Sequence, residues 1–512
     1  MQFLTLLFTL PAVNALLGLL WPGHRRWLGP LQTIGSAVLF AVTVGLAHHI
    51  VTVGPISLWQ GSIYVDALSG IILLIIGGVG TLAALYGAGY MIADLDANAP
   101  TTAPATSAES NRPPRRLRFY YLLFNLFVLT MLAMAISGNM GMFWMAIEGS
   151  TMFSAFLVGY YTKKAPLEAA WKYVILCTVG IAFALIGIVL TYYAVLKAQG
   201  NLAQGLNWLY LYKLAPKLDP HLIKVAFVFI LVGFGTKAGL APIHNWLPDA
   251  HSESPTPISA MLSCVLLNCA LLGIIRYVLL TQLVIDPAFA QHLLLFFGLL
   301  SLGLAVPFIL VQQNIKRLLA YSSMEHIGLI LIGLGLGSPL AVLGGLFHMV
   351  NHAAIKALMF FGAGNLAQRF QSKQTTHIQG AFGIMPLTST LLLLGVLALC
   401  GSPPFSVFLS EFYILQGGLA NGHWIVSGLT LLFLIIIFGG FLHTYLGIVM
   451  GTAPAGHHDN PLPKGETNPA GLLAMGCSLV LLLAMTWWLP KDLNSLLHSA
   501  TDFIVQGKGL GL

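Results

Sequence analysis

The sequence predicts an all-α polytopic membrane protein with about fourteen transmembrane helices. Three observations carry that prediction. Of 512 residues, 57% are hydrophobic and only 8% are charged, where a soluble domain carries roughly 25% charged residues. Mean hydropathy is +0.85. Apolar runs of spanning length recur along the whole chain, and no polar segment between them is long enough to fold alone.

In order, the runs fall at 3–21, 29–50, 66–92, 119–137, 139–161, 171–195, 222–247 and 257–280. They continue at 291–313, 315–337, 339–366, 380–420, 424–450 and 470–489. The first run has no basic residue before it, so it reads as a retained span and not a cleaved signal peptide. Arg25 and Arg26, RPPRRLR (112–118), Lys163 and Lys164, Lys316 and Arg317, Arg369 and Lys373, and Lys464 lie in alternate loops. The positive-inside rule makes that side cytoplasmic and places both termini on the outer, periplasmic side of a cell inner membrane. The net charge of +7 therefore reflects topology before any anionic partner. One loop dissents, with Lys197, Lys213, Lys217 and Lys224 on the outer side. Residues 95–114 and 452–469 are rich in small and polar residues and read as flexible connectors.

Two spans are interrupted. The stretch GFGTKAGLAPIHNWLPDAHSESPTP (233–257) carries Lys237 inside an apolar run and then Pro242, where the helix is expected to break. An ammonium at that depth costs on the order of 2.5–3.5 kcal/mol. Broken backbone inside a membrane is tolerated only within protein or beside water. Gly401-Ser402-Pro403-Pro404 repeats the pattern in the second half, followed by Glu411. Paired interrupted helices in corresponding halves point to a transporter with inverted repeats and polar sites near the midplane.

Other intramembrane polar residues align with these. Glu148 lies mid-span, Asn268 is in the middle of the eighth run, and Glu325 and His326 are within the tenth. His348, His352 and Lys356 recur every four residues and form one helical stripe. Burial lowers a lysine's proton affinity and raises a carboxylate's, and imidazole titrates near neutrality unaided, so the set suits proton relay. Singly, each histidine also has a plain reading as a satisfied core side chain or member of a structural pair.

Competing chemistries fit poorly. GFGTKAG has no preceding strand and no Lys-Ser/Thr ending, which excludes a phosphate loop. The five cysteines form no CxxC pair, so no cluster or disulfide framework is expected. Bis-histidine haem and an HxxxH zinc site lack their partner residues, His457 and His458 read as solvated loop residues, and neither a cofactor nor a metal is expected.

LEAAWKY (167–173), residues 233–272, IKRLLAYSSMEHIG (315–328) and SPPFSVFLSEF (402–412) together resemble the antiporter-like subunits of respiratory complex I and Mrp-type antiporters. Within that superfamily they look most like the F component of hydrogenase-4 and formate hydrogenlyase-type complexes. The resemblance implies two inverted five-helix repeats, helices four to eight (119–280) and nine to thirteen (291–450). Residues 1–118 then hold helices one to three and the connector, and 451–512 a loop and helix fourteen. It implies that Glu148 and Lys237 form the electrostatic pair of helices five and seven. His348, His352 and Lys356 become the central relay, and Glu411 the acid facing the exit half-channel. Lys172 matches a lysine near the start of helix six. Asn268 stands where many relatives carry lysine, and an amide cannot take up a proton at neutral pH, so the centre would rely on His326 or His348, or be less connected.

The expected function is a proton-translocating subunit of a multisubunit respiratory or hydrogenase-type complex, with other membrane subunits, a peripheral redox arm and the lipid bilayer as partners. Sodium is left open as a second transported ion. The alternatives are a redox-independent cation/proton antiporter module, the membrane subunit of an inorganic-carbon uptake system, or an inert scaffold. Nucleic acid is not an expected partner.

Overall fold

The computed structural model describes residues 2–97, 113–452 and 462–506. The expected connector 95–114, much of 452–469, and His457 and His458 therefore lie largely or wholly outside the described residues. The chain opens with α1 (Gln2–Leu20), α2 (Arg25–Val53) and a hairpin of β1 (Ile56–Leu58) and β2 (Ile63–Val65), followed by α3 (Ala67–Ala97). Next come α4 (Arg115–Ile136), α5 (Met140–Val158), α6 (Lys164–Lys197), the short α7 (Trp208–Leu214) and α8 (Pro220–Ala238). Helix α9 (Trp246–Glu253) precedes α10 (Thr256–Met261), which runs through a π-helical turn at Leu262–Leu266 into α11 (Leu267–Val284). The second half holds α12 (Pro287–Val311), α13 (Ile315–Gly335), α14 (Pro339–Phe370), α15 (Pro386–Leu399) and α16 (Ser406–Ala420). It closes with α17 (Trp424–Met450), α18 (Pro469–Trp487) and α19 (Lys491–Gln506).

Thirteen of these helical runs are long and apolar enough to cross a membrane. The broken pair α15–α16 makes the fourteenth span, so the expected number stands. Four spans start alike: Asp219-Pro220, Asp286-Pro287, Ser338-Pro339 and Asn468-Pro469 place a side-chain acceptor at the N-cap and proline at N1. The cap oxygen satisfies orphan amides, and proline fills a position whose N–H has no helical partner. Run α10–α11, α13 and α14 sit at the centre, almost wholly buried, whereas α17 is mostly exposed at the periphery.

The loops sort to two faces. On one face Arg116 donates to Thr162, Lys316 to the Ser254 carbonyl, and Lys373 pairs with Glu253. On the other, the β-hairpin bridges Ser137, and Asn139 bridges Asn207. The dissenting Lys197 lies on that second face, paired at 3.1 Å with Asp219. Its hydrogen bond is the largest cause holding the Asp219 carboxyl below the usual carboxylate range.

Three features depart from the sequence reading. Helix α8 ends at Ala238, before Pro242, because Gly239 adopts a left-handed C-cap (φ 78°) and its N–H closes on the Gly235 and Thr236 carbonyls. The β-hairpin was not foreseen. Nor was α19, whose Leu493, Leu496, Leu497, Ala500 and Ile504 recur at helical spacing and pack inward. A buried ion pair ties the hairpin end to the centre. Arg276 on α11 donates to both oxygens of Asp66 at 2.5 and 2.8 Å and to Ser69 at 3.1 Å. The Tyr64 ring lies 5.2 Å from its guanidinium.

Candidate functional site

The first cluster forms where α5, α6 and α8 meet. Gly180 on α6 and Gly233 on α8 bring these helices close, since a Cβ at either would meet the other helix at 2.5 or 2.4 Å. Lys237, fully buried in the last turn of α8, donates to Thr151 Oγ1 at 2.8 Å and to Tyr173 Oη at 2.6 Å. Its ammonium lies 4.6 Å from the Tyr173 ring centre. Because Tyr173 accepts from lysine, its proton points to Ser154 Oγ at 2.7 Å, and Ser154 donates onward to the Ser150 carbonyl. The charge is thus spread over a run of hydroxyls, which stabilises it without a carboxylate partner.

Glu148 lies one turn before Thr151 on the same face of α5. It accepts from Thr178 at 3.2 Å, and its Oε2 is buried without a partner. Among the described residues Glu148 and Lys237 do not form a contact ion pair; Thr151 and Tyr173 take the lysine's hydrogen bonds instead. Glu148 also borders a cavity of about 860 Å³ with Arg116, Trp144, Met152, Trp171 and Thr178.

The second cluster lies between α13, α14 and α16. His348 Nε2 is 2.8 Å from His326 Nδ1, and His348 Nδ1 is 2.9 Å from Ser410 Oγ. Ser410 donates to the Val407 carbonyl and accepts from Asn351 at 3.0 Å. That pattern assigns a proton to His348 Nδ1 and leaves its Nε2 to accept from His326. Glu411 is buried beside them, and its Oε1 has no partner. Gly401 (φ 62°) makes its room, since a Cβ there would lie 2.0 Å from Glu411 Oε2.

His352 and Lys356 are fully buried on the predicted stripe. Both His352 nitrogens lack partners, and Lys356 donates to the Leu319 carbonyl at 3.2 Å. The stripe is therefore not joined end to end, because His348 bonds sideways to α13. Asn268 spans the middle, donating to the Cys264 carbonyl at 2.7 Å and weakly to Met349 at 3.3 Å, its Oδ1 buried and unpaired. Among the described residues no direct hydrogen bond joins the two clusters.

Several site residues escaped the sequence reading. Tyr173 adjoins Lys172, which was named, but adjacent residues face apart on a helix. Lys172 is half-exposed and bonded to Glu168 and Asp249, the latter also paired with Arg317. His251, inside the interrupted stretch 233–257, is fully buried with both nitrogens unpartnered and stacks on Phe360 at 5.2 Å. Its carbonyl accepts from Ser259, which contacts Ser254, whose carbonyl accepts from buried Lys316. A polar cavity of about 340 Å³ opens there among Asp94, Glu253, Lys316 and Lys373.

A family model described as "NADH:quinone oxidoreductase/Mrp antiporter, TM" matches residues 137–437, more than half of the chain. The chain belongs to this family. A second model, "NADH-Ubiquinone oxidoreductase (complex I), chain 5 N-terminus", matches residues 59–98 of this antiporter-like subunit. A hydrogenase-4 component F homolog from Methylacidiphilum infernorum is 35% identical over 405 residues, covering 79% of this chain and 80% of its own length. The Mrp complex of a Dietzia species contains a chain of the same fold (TM-score 0.83, 18% identity, 99% and 98% covered). An archaeal membrane-bound sulfane sulfur reductase contains another (TM-score 0.81, 24% identity, 100% and 99% covered).

Proposed function

We propose that this subunit translocates protons across the cell inner membrane as part of a complex I-related respiratory or hydrogenase-type assembly. Redox chemistry then takes place in a peripheral arm held by partner subunits. The observation that carries the reading is the buried chain His326–His348–Ser410 beside Glu411, built from three helices where apolar packing would otherwise serve.

Each part has a task. Lys237 holds a proton against Thr151 and Tyr173 within the α8 break. A charge change beside Glu148, at the lateral cavity where another membrane subunit would sit, alters how well that ammonium is held. His352 and Lys356 connect the centre to the His326–His348 pair, and water bridges the distances that side chains leave open. Glu411 passes protons to the outer side. His251 and the Lys316 cavity supply the centre from the cytoplasmic side. Residues 119–280 and 291–450 act as the two repeats, each with one broken helix.

The test is proton uptake by the reconstituted assembly carrying Lys237→Met. Uptake is expected to vanish while the subunit still assembles, because Tyr173 and Thr151 retain Ser154 and the Ile147 carbonyl as partners. Normal pumping by that variant would sink the reading.

A further inference from the structure

We propose that His326, His348 and Glu411 form a binding site for a divalent transition-metal ion of the zinc class. The three residues each present a ligand atom, all within 4.8 Å of one another and all buried. They come from α13, α14 and α16, so an ion there cross-links three helices. Two imidazoles and a carboxylate are the donor set of three-ligand zinc sites, which keep a fourth position for water. Nitrogen-rich sites of this kind favour zinc, cobalt or nickel over magnesium or calcium.

Independent features point the same way. Glu411 Oε1 is buried with no hydrogen-bond partner among the described residues, so the site holds an unspent acceptor that a cation would satisfy. His348 Nδ1 is held by Ser410, and Ser410 by Asn351. Such a bond on the far nitrogen orients a metal-ligating imidazole and fixes its tautomer. His348 Nε2 is thereby left with a lone pair facing His326.

Loading the site replaces the 2.8 Å His326–His348 hydrogen bond. A tetrahedral zinc ion spaces its ligand atoms roughly 3.4 Å apart, so the two ring nitrogens must part by about 0.6 Å. The His326 proton shifts to its unpartnered Nε2, and the freed Nδ1 lone pair binds metal. The sequence hid this set because HxxxH on α14 suggests the wrong pair: His352 is not among the three. The consequence for transport rests on the relay reading, since an ion on these lone pairs would arrest proton passage.

The experiment is a Co²⁺ titration of the chelator-stripped full chain in detergent, read by visible absorption. A saturable intense band from four- or five-coordinate Co²⁺ is expected, displaced by Zn²⁺. His326→Asn and Glu411→Gln should abolish it, and His352→Asn should retain it. Ser410→Ala should weaken affinity by about tenfold, the usual loss on removing such an orienting partner. Elution profile and melting of each variant separate lost binding from lost folding. Only the faint six-coordinate spectrum, or an intense band that survives both His326→Asn and Glu411→Gln, overturns the proposal. Zinc-free proton uptake without the band overturns the metal site alone; the band without uptake overturns the relay alone.

Discussion

The two broken helices solve one problem in opposite ways. At the α8 break a buried cation is well met, with two of the three Lys237 donors bonded to hydroxyls at 2.8 and 2.6 Å. At the α15–α16 break a buried acid is under-met, with Glu411 Oε1 lacking any partner. Both breaks carry a proline peptide in the cis form, Ala241–Pro242 and Pro403–Pro404, and both place a left-handed glycine before it, Gly239 and Gly401. The backbone device is shared, and the neighbours differ. The lesson is that a break supplies room at depth, whereas the facing helices decide whether the charge is held or left ready to exchange.

That contrast can be broken in four ways. Lys237→Arg keeps the charge and donors but cannot release a proton. Proton uptake should be abolished, and survival of uptake would mean that Lys237 acts only as a fixed charge. Glu411→Gln keeps shape and removes the acid, so uptake should fall roughly a hundredfold, the scale of losing a proton-transfer group. Stopped-flow measurement in proteoliposomes reads it. Tyr173→Phe removes one neutral donor–acceptor from a charged partner, an interaction worth about 1.5–3 kcal/mol. Uptake should drop about tenfold and should not vanish, because Thr151 remains. Lys172→Ala removes the pairs of a half-exposed ammonium with Glu168 on α6 and Asp249 on α9 and should leave uptake within about twofold. A large loss there would show that the contact with Asp249 sets the position of the break.

What the sequence disclosed follows the same division. Lys237 and Glu411 were legible because a charge in an apolar run has few reasons to be there. So were the breaks, since Pro242 and Pro403-Pro404 interrupt spans of otherwise sufficient length. Tyr173, Ser410 and Asn351 were not legible: hydroxyls and amides are common in membrane helices, and their value depends on a partner from another helix. Spacing along α14 suggested conduction down His348, His352 and Lys356, yet His348 bonds across to His326. Periodicity reports which side chains share a face, not which neighbour that face meets. Helix α8 stopping at Gly239 has the same origin, because glycine offers a left-handed cap that competes with the more conspicuous proline.

The pair Asp66–Arg276 has a consequence for how the chain is built. Arg276 is buried about two turns from the C-terminal end of α11, where a lone guanidinium would be costly. Its only carboxylate partner among the described residues stands just before α3, made about two hundred residues earlier. Synthesis from the N-terminus makes the acceptor before the arginine, so a counter-charge is already on the chain when the central helix is added.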